Sequence, residues 1–359
     1  MELNNYVVIM AGGVGTRFWP YSRVTNPKQF QDMMGIGKSL IQLTIERFKD
    51  ICPDENIFVV TNADYADLVK TQLPQLADDQ ILLEPMMRNT APCVAYASYK
   101  IQQKNPNANI IVAPADQVIH KLDAFTNSLL TALDATAKEE VLLTLGIQPS
   151  RPDTGYGYIQ MMDSEATTKV KKVKTFTEKP NLELALEFLD SGDYVWNAGI
   201  FIFSAATIVK AFQKYMPELH GIFKDLQSDF YTDREADAIR RTYSQCHTIS
   251  IDYGIMEKAD NVYVVPCDLG WSDLGTWKSL YEQLPKNKEG NVLSGNIMAY
   301  ETTNSIIKTP EEQLVVVQGL DNYIVAKYKN VLLICQKDQE QRIKHFLEEA
   351  IKQKGTQFS

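Results

Sequence analysis

Histidine is scarce in this chain and cysteine is unpaired. The 359 residues include four histidines and five cysteines. Cys52, Cys93, Cys246, Cys267 and Cys335 lie far apart, and none forms a CxxC pair. Zinc centres and disulfide frameworks need clustered ligands or an even, regular spacing, so both are argued against, and reduced thiols are expected. Long apolar runs are also missing. No segment approaches the ~18 residues of a membrane span, and the start, MELNNYVVIMAGG, lacks the basic region of an export signal. A cytoplasmic protein without a membrane partner is expected. Positive charge falls short as well: 36 Lys and Arg face 45 Asp and Glu, a net charge of −9. A nucleic-acid partner is therefore not expected, and any anionic ligand must be met by a local cluster of cations.

What is present is ordinary for a globular protein, with 45% apolar and 23% charged residues. At about 150 residues per domain the length suggests two domains, or one large α/β domain with an appendage. Runs rich in Val and Ile at Tyr6–Met10, Ile57–Val60, Ile81–Leu83, Asn109–Val112 and Val141–Leu145 alternate with helical spacing at Ser39–Ile51, Asp64–Leu73, Thr90–Gln103 and Asp123–Lys138. Continuous apolar strands separated by helices predict βαβ units and a mainly parallel, buried sheet. From about Asp153, DTGYGYIQM and KVKTFTEKP read as hairpin strands and YVWNAGIFIFS as a buried strand, together a second lobe over about 153–250. A boundary near 287 leaves 288–359 with short strand-like pieces and a closing helix from about Asp338, with Gln341 positioned as in a capping box. The helix's stripe of Ile343, Phe346, Leu347, Ala350 and Ile351 needs a cover.

The stretch after the first strand, AGGVGTRFWPYSRVTNPKQF, sets Gly12, Gly13 and Gly15 beside two cations, Arg17 and Lys28. A glycine-rich turn at the carboxyl end of a first strand lets backbone N–H groups approach phosphate oxygens. The dinucleotide fingerprint GxGxxG fails, because Phe18 stands where its third glycine belongs. A P-loop fails too: GKS at Gly37–Ser39 has Asp32 in place of the required earlier glycine, so Ser39 reads as a helix cap. Two cations on one such loop suit a highly charged leaving group such as pyrophosphate.

GGxGTRxxP followed by PK resembles the signature of the sugar nucleotidyltransferases, and the longer AGGVGTRFWPYSR…NPKQF is similar to the mannose-1-phosphate guanylyltransferases. RNTAP (Arg88–Pro92), PADQ (Pro114–Gln117), GYGYI (Gly155–Ile159), FTEKP (Phe176–Pro180), WNAGIF (Trp196–Phe201), SIDYGIMEK (Ser250–Lys258) and GWSDLGTW (Gly270–Trp277) follow in order. PADQ departs in having Gln117 where many relatives carry His, yet keeps the carboxylate.

The resemblance implies a Rossmann-like nucleotidyltransferase domain over 1–287 and a short left-handed β-helix that helps build a homodimer. It implies Gly12, Gly13, Gly15, Thr16, Asn89 and Thr90 as nucleotide-binding, and Gly155, Tyr156, Gly157, Glu178, Lys179 and Asn197 as sugar-phosphate-binding. Asp116 and Asp273 become the Mg²⁺ pair, and two carboxylates with phosphate oxygens and water do suit that ion. The substrates implied are GTP and mannose 1-phosphate. The sugar phosphate needs no base, since a phosphate monoester has a second pKa of about 6. It attacks the α-phosphorus in line, while Arg17 and Lys28 stabilise departing pyrophosphate. Another hexose or heptose 1-phosphate or another nucleoside triphosphate is the alternative within the class. A catalytically inactive nucleotide-sugar-binding subunit is the alternative outside it.

Overall fold

A computed structural model of the chain describes residues 4–162 and 169–359, so residues 163–168 of the expected second lobe lie outside what is described. Two compact units result, and neither is continuous in sequence. One holds the chain up to Gly12 with Thr44–Ala115 and Ile119–Trp271; the other holds Gly13–Leu43, Asp116–Val118 and Ser272–Ser359.

The first unit is built on nine strands: β1 (Asn5–Met10), β2 (Ile57–Asn62), β3 (Ile81–Glu84), β4 (Asn109–Pro114), β5 (Leu142–Ile147), β6 (Gly157–Met161), β7 (Lys171–Glu178), β8 (Tyr194–Ser204) and β9 (Val262–Cys267). Their order is β3-β2-β1-β4-β8-β5-β9-β7-β6. The expected parallel pairing holds for β3-β2-β1-β4 and for β5-β9. β8 runs antiparallel to β4 and β5, and β6 and β7 pair antiparallel, which makes the sheet mixed. The strands read as a second lobe, β6 to β8, are therefore members of this one sheet.

Helices cover both faces, which is why β1 is apolar at successive positions: Val7, Val8 and Ile9 are all fully buried. On one face Tyr6, Val8, Phe58 and Val60 share a core with α3 (Thr90–Lys104), α6 (Ala205–Tyr215), α7 (Pro217–Leu226) and α8 (Glu235–Gln245). α4 (Leu122–Lys138) lies against β4, β5, β8 and β9 through an apolar stripe including Phe125, Leu129 and Leu133. α2 (Ala66–Gln72) and α5 (Leu182–Ser191) complete this unit, while α1 (Leu40–Glu46) is shorter than its apolar spacing suggests. Beyond it, i→i+3 bonds from Arg47 N to Thr44 O and Phe48 N to Ile45 O tighten the chain into turns.

In the second unit, β10 (Val292–Ser294), β12 (Ile306–Lys308) and β14 (Tyr323–Tyr328) stack in parallel, as do β11 (Ile297–Tyr300) and β13 (Val315–Gln318). Thr303 bonds Asp321, 18 positions on, and Ser305 bonds Tyr323 at the same interval, so successive rungs of a short β-helix lie over one another. β15 (Val331–Gln336) turns back antiparallel on β14.

The closing helix departs from its expected start. Lys337–Arg342 is 3-10, and α10 runs Ile343–Lys354. Asp338 accepts from Asn322 Nδ2 at 2.8 Å instead of capping the helix. The apolar stripe is covered within this unit, where Ile343 and Leu347 share a core with Phe18, Trp19, Met33, Ile306 and Trp277, the first residue of α9 (Trp277–Gln283).

Candidate active site

Arg17, Lys28, Asp116 and Asp273, from three separate stretches of chain, all fall in the second unit. Val118 and Ser272 bond reciprocally at 2.8 and 3.0 Å, which sets the Asp116 and Asp273 segments side by side. Gly15 explains the glycine run. Its φ is +72°, and a Cβ there would stand 2.8 Å from Lys28 Cβ, so only glycine lets the lysine segment lie on the loop. The carbonyls of Gly13, Val14 and Gly15 are taken by Gln29 Nε2, Ser22 Oγ and Phe18 N, and space opens on the other side of Gly13. Thr16 begins the 3-10 turn Thr16–Phe18 that carries Arg17.

Lys28, expected to meet the leaving pyrophosphate, is buried among protein oxygens. The residue is 4% exposed. Its Nζ donates to Asp116 Oδ2 at 2.9 Å, to Leu274 O at 2.8 Å and to Asp273 O at 3.1 Å. Arg17 makes a long contact, 3.5 Å from Nη1 to Gly275 O. Asp273 Oδ1 accepts from Gly275 N at 3.0 Å, and a Cβ on Gly275 would come within 2.5 Å of Asp273 Oδ2. A glycine at 275 is what leaves room for that carboxylate.

The expected sugar-phosphate residues fall in the first unit. Gly157 pairs with Glu178 across β6 and β7, and a side chain at 157 would overlap Glu178 Oε2. Lys179 has φ +48°, donates its N–H to Tyr156 O at 3.2 Å, and pairs through Nζ with Glu178 Oε1. Gly155 N donates to Asp153 Oδ1. The Tyr156 ring stands edge-on to Trp196 and Trp271, and the Arg151 guanidinium lies 5.3 Å from the Trp196 ring centre. Asn197 is held rigidly: Oδ1 accepts from Thr144 Oγ1 and Gly199 N, both at 3.0 Å, and Nδ2 donates to Asp252 Oδ1 at 2.9 Å.

Asn89, at φ +67°, caps α3 by accepting from Thr90 N, while Thr90 Oγ1 accepts from Ile251 N at 2.9 Å. The bonds Ala91 N to Ile249 O and Ile249 N to Arg88 O complete a staple between RNTAP and SIDYGIMEK. Thr90 and Asn197 are thus linked through the consecutive residues Ile251 and Asp252.

Two carboxylates escaped the sequence reading. Burial, then the negative charge of Glu178, pushes the Asp252 carboxyl up to about 6 against the opposing bond from Asn197. Burial pushes Glu84 up to about 7, partly offset by Tyr243, whose hydroxyl donates to Glu84 Oε1 at 2.9 Å. Glu84 Oε2 lies 3.5 Å from where a Cβ on Gly12 would stand. Asp252 sits in a quoted motif and could have been named. A lone acid at the end of β3 gave no signal.

These shifts set a pH dependence. A carboxyl raised in the folded state binds its proton more tightly there than in the unfolded chain. Stability therefore falls as pH rises from the unfolded value of 3.8 through about 6 for Asp252. Asp252→Asn removes that slope, so the variant should gain roughly 2–3 kcal/mol on the wild type between acid and neutral pH. Thermal melts from pH 4 to 7 check this, and parallel curves for the two proteins would refute it.

A mixed α/β sheet in one unit, and in the other a glycine loop armed with Arg17 and Lys28 together with a short β-helix, define a nucleotidyltransferase of the sugar-phosphate class. The Nucleotidyl transferase family model matches residues 6–290, and that of the MannoseP isomerase/GMP-like beta-helix domain matches 295–349. A mannose-1-phosphate guanylyltransferase of Escherichia coli is 36% identical over 351 residues, covering 95% of this chain and 74% of its own length. The alginate biosynthesis protein AlgA of Pseudomonas aeruginosa is 35% identical over 346 residues, 95% of this chain and 71% of that one. The crystal structure of a mannose-1-phosphate geranyltransferase from Thermus thermophilus superposes with a TM-score of 0.87 at 31% identity, over 97% of this chain and 99% of the other. The chain belongs to the nucleotidyl transferase family, among the mannose-1-phosphate guanylyltransferases, and is an enzyme of that kind.

Proposed function

We propose that the protein transfers GMP from GTP to α-D-mannose 1-phosphate, giving GDP-mannose and pyrophosphate. The observation that carries this is the cluster of Arg17, Lys28, Asp116 and Asp273 on one glycine loop and its neighbours, two cations and two acids that suit a triphosphate with a metal ion. The relatives' activity supplies the choice of base and sugar.

Asp116 and Asp273 would hold Mg²⁺. The donor set fits: the ammonium of Lys28 already stands on Asp116 as a cation, and Gly275 keeps space beside the Asp273 carboxylate. Held there, such an ion would supply charge neutralisation for the phosphate oxygens. Arg17 and Lys28 stabilise the leaving pyrophosphate, and the backbone of Gly12, Gly13, Gly15 and Thr16 accommodates the phosphates. Asn89 and Thr90 position the nucleoside. Lys179 orients the attacking phosphate, while Glu178 and Asn197 hold sugar hydroxyls. No protein group serves as nucleophile, so rate comes from alignment and charge neutralisation.

A panel of four nucleoside triphosphates against several hexose 1-phosphates, read by pyrophosphate release, tests the reading. GTP with mannose 1-phosphate should turn over fastest, and preference for another pair would replace it. Glu178→Gln should raise KM for the sugar phosphate by about tenfold or more, a lost hydrogen bond to a charged group being worth about 1.5–3 kcal/mol, and Asn197→Ala by about two- to tenfold, a neutral one being worth about 0.5–1.5 kcal/mol, with KM for GTP nearly unchanged in both. The opposite selectivity would move both residues to the nucleotide.

A further inference from the structure

Lys28 is asked to meet pyrophosphate, yet its ammonium has three N–H donors and all three have protein oxygens within hydrogen-bond distance. Two partners, the carbonyls of Asp273 and Leu274, are neutral. The third is the Asp116 carboxylate, whose side chain is 38% exposed against 5% for that of Lys28. The acid therefore faces solvent while the lysine neutralises it from behind. Gly15 fixes this arrangement, because its missing side chain lets the lysine stem approach the loop.

We infer that Lys28 is a built-in counter-ion, which keeps Asp116 from binding a divalent cation tightly until the phosphates of the nucleotide draw the ammonium away. This rests on Asp116 and Asp273 being the metal pair. A metal ion approaching Asp116 in the free protein meets a positive charge 2.9 Å from the carboxylate oxygen, and like charges in a site of restricted solvation repel strongly. An anionic triphosphate supplies the alternative partner. Releasing the ammonium from Asp116 then exposes the acid and delivers the cation to the leaving group in one movement. Metal binding and Lys28 engagement become coupled to arrival of the nucleotide.

The test is Mn²⁺ binding to the full chain without nucleotide, read by the electron paramagnetic resonance of free Mn²⁺. Lys28→Gln removes the charge and keeps N–H donors, and Lys28→Met keeps the length. Either should bind Mn²⁺ at least about tenfold more tightly than the wild type. Affinity equal to or below the wild type in both folded variants overturns the inference. Asp116→Asn separates the two levels. If Lys28→Gln gains Mn²⁺ affinity and adding Asp116→Asn to it leaves that gain intact, the metal assignment itself is removed, whereas no gain at Lys28, with nucleotide-dependent Mn²⁺ binding that Asp116→Asn abolishes, removes only the counter-ion role. Should neither Lys28 variant fold, lysine-labelled wild type replaces them. The Lys28 ammonium resonance should shift when Mg²⁺ and a non-hydrolysable GTP analogue are added together, and stay in place with Mg²⁺ alone. A resonance unmoved by the full set, or moved equally by Mg²⁺ alone, overturns the inference.

Discussion

Arg17→Ala and Lys28→Ala should each lower the rate of pyrophosphate release by about 10²–10³-fold at saturating substrates, the scale of one lost transition-state contact. The two variants should part company in stability. Arg17 reaches Gly275 O across a long 3.5 Å contact in an exposed setting, so its loss leaves folding nearly unchanged. Lys28 is buried, and alanine there leaves the carbonyls of Asp273 and Leu274 without their donor and Asp116 without its counter-charge. An unsatisfied buried group costs about 1–3 kcal/mol, so Lys28→Ala should melt several degrees lower. Rates and melting curves measured together decide. A wild-type rate in either variant removes that residue from the chemistry.

Asp116→Asn and Asp273→Asn should each lower turnover about 10²-fold or more, the scale of the several kcal/mol a metal ion contributes to stabilising charge. Asparagine preserves shape and one oxygen acceptor. The bond from Gly275 N to Asp273 Oδ1 can persist, and the loop should keep its fold. What is lost is anionic charge, so a higher Mg²⁺ concentration should be needed for whatever activity remains. EDTA should abolish turnover in the wild type. Initial rates against Mg²⁺ concentration check all three proteins, and wild-type rates with wild-type titrations in both variants would dismiss the pair.

Much of this was legible because the responsible signals are local. Glycine spacing after β1, the apolar alternation of strands with helices, and the proline in the first turn of α3 all act within a few residues. The cations Arg17 and Lys28 stood out on the glycine loop, the acids Asp116 and Asp273 were marked by the family resemblance, and the structure sets all four in one unit.

The direction of β8 was not legible. A strand buried on both faces reads the same whether its neighbours run parallel or antiparallel. The rungs of the β-helix were hidden because stacked positions recur at unequal intervals, 14 from β10 to β12 and 18 from β12 to β14, with β-strand alternation blurred by turns between them. The burial of Lys28 was hidden for another reason. A lysine's environment is made by residues some 245 positions away, and no pattern within its own segment records them. Asp252 and Glu84 belong with it, since only three-dimensional burial distinguishes a raised carboxyl from any other acid.

In the proposed reaction the protein lends no nucleophile, and the sugar phosphate itself attacks the α-phosphorus. The stereochemistry at that phosphorus tests it most directly. GTP carrying a single sulfur on the α-phosphate, in one known configuration, is turned over with mannose 1-phosphate, and the configuration of the GDP-mannose product is determined. One in-line displacement gives inversion, the expected outcome. Retention would require two displacements through a covalent nucleotidyl–enzyme intermediate, and would contradict it.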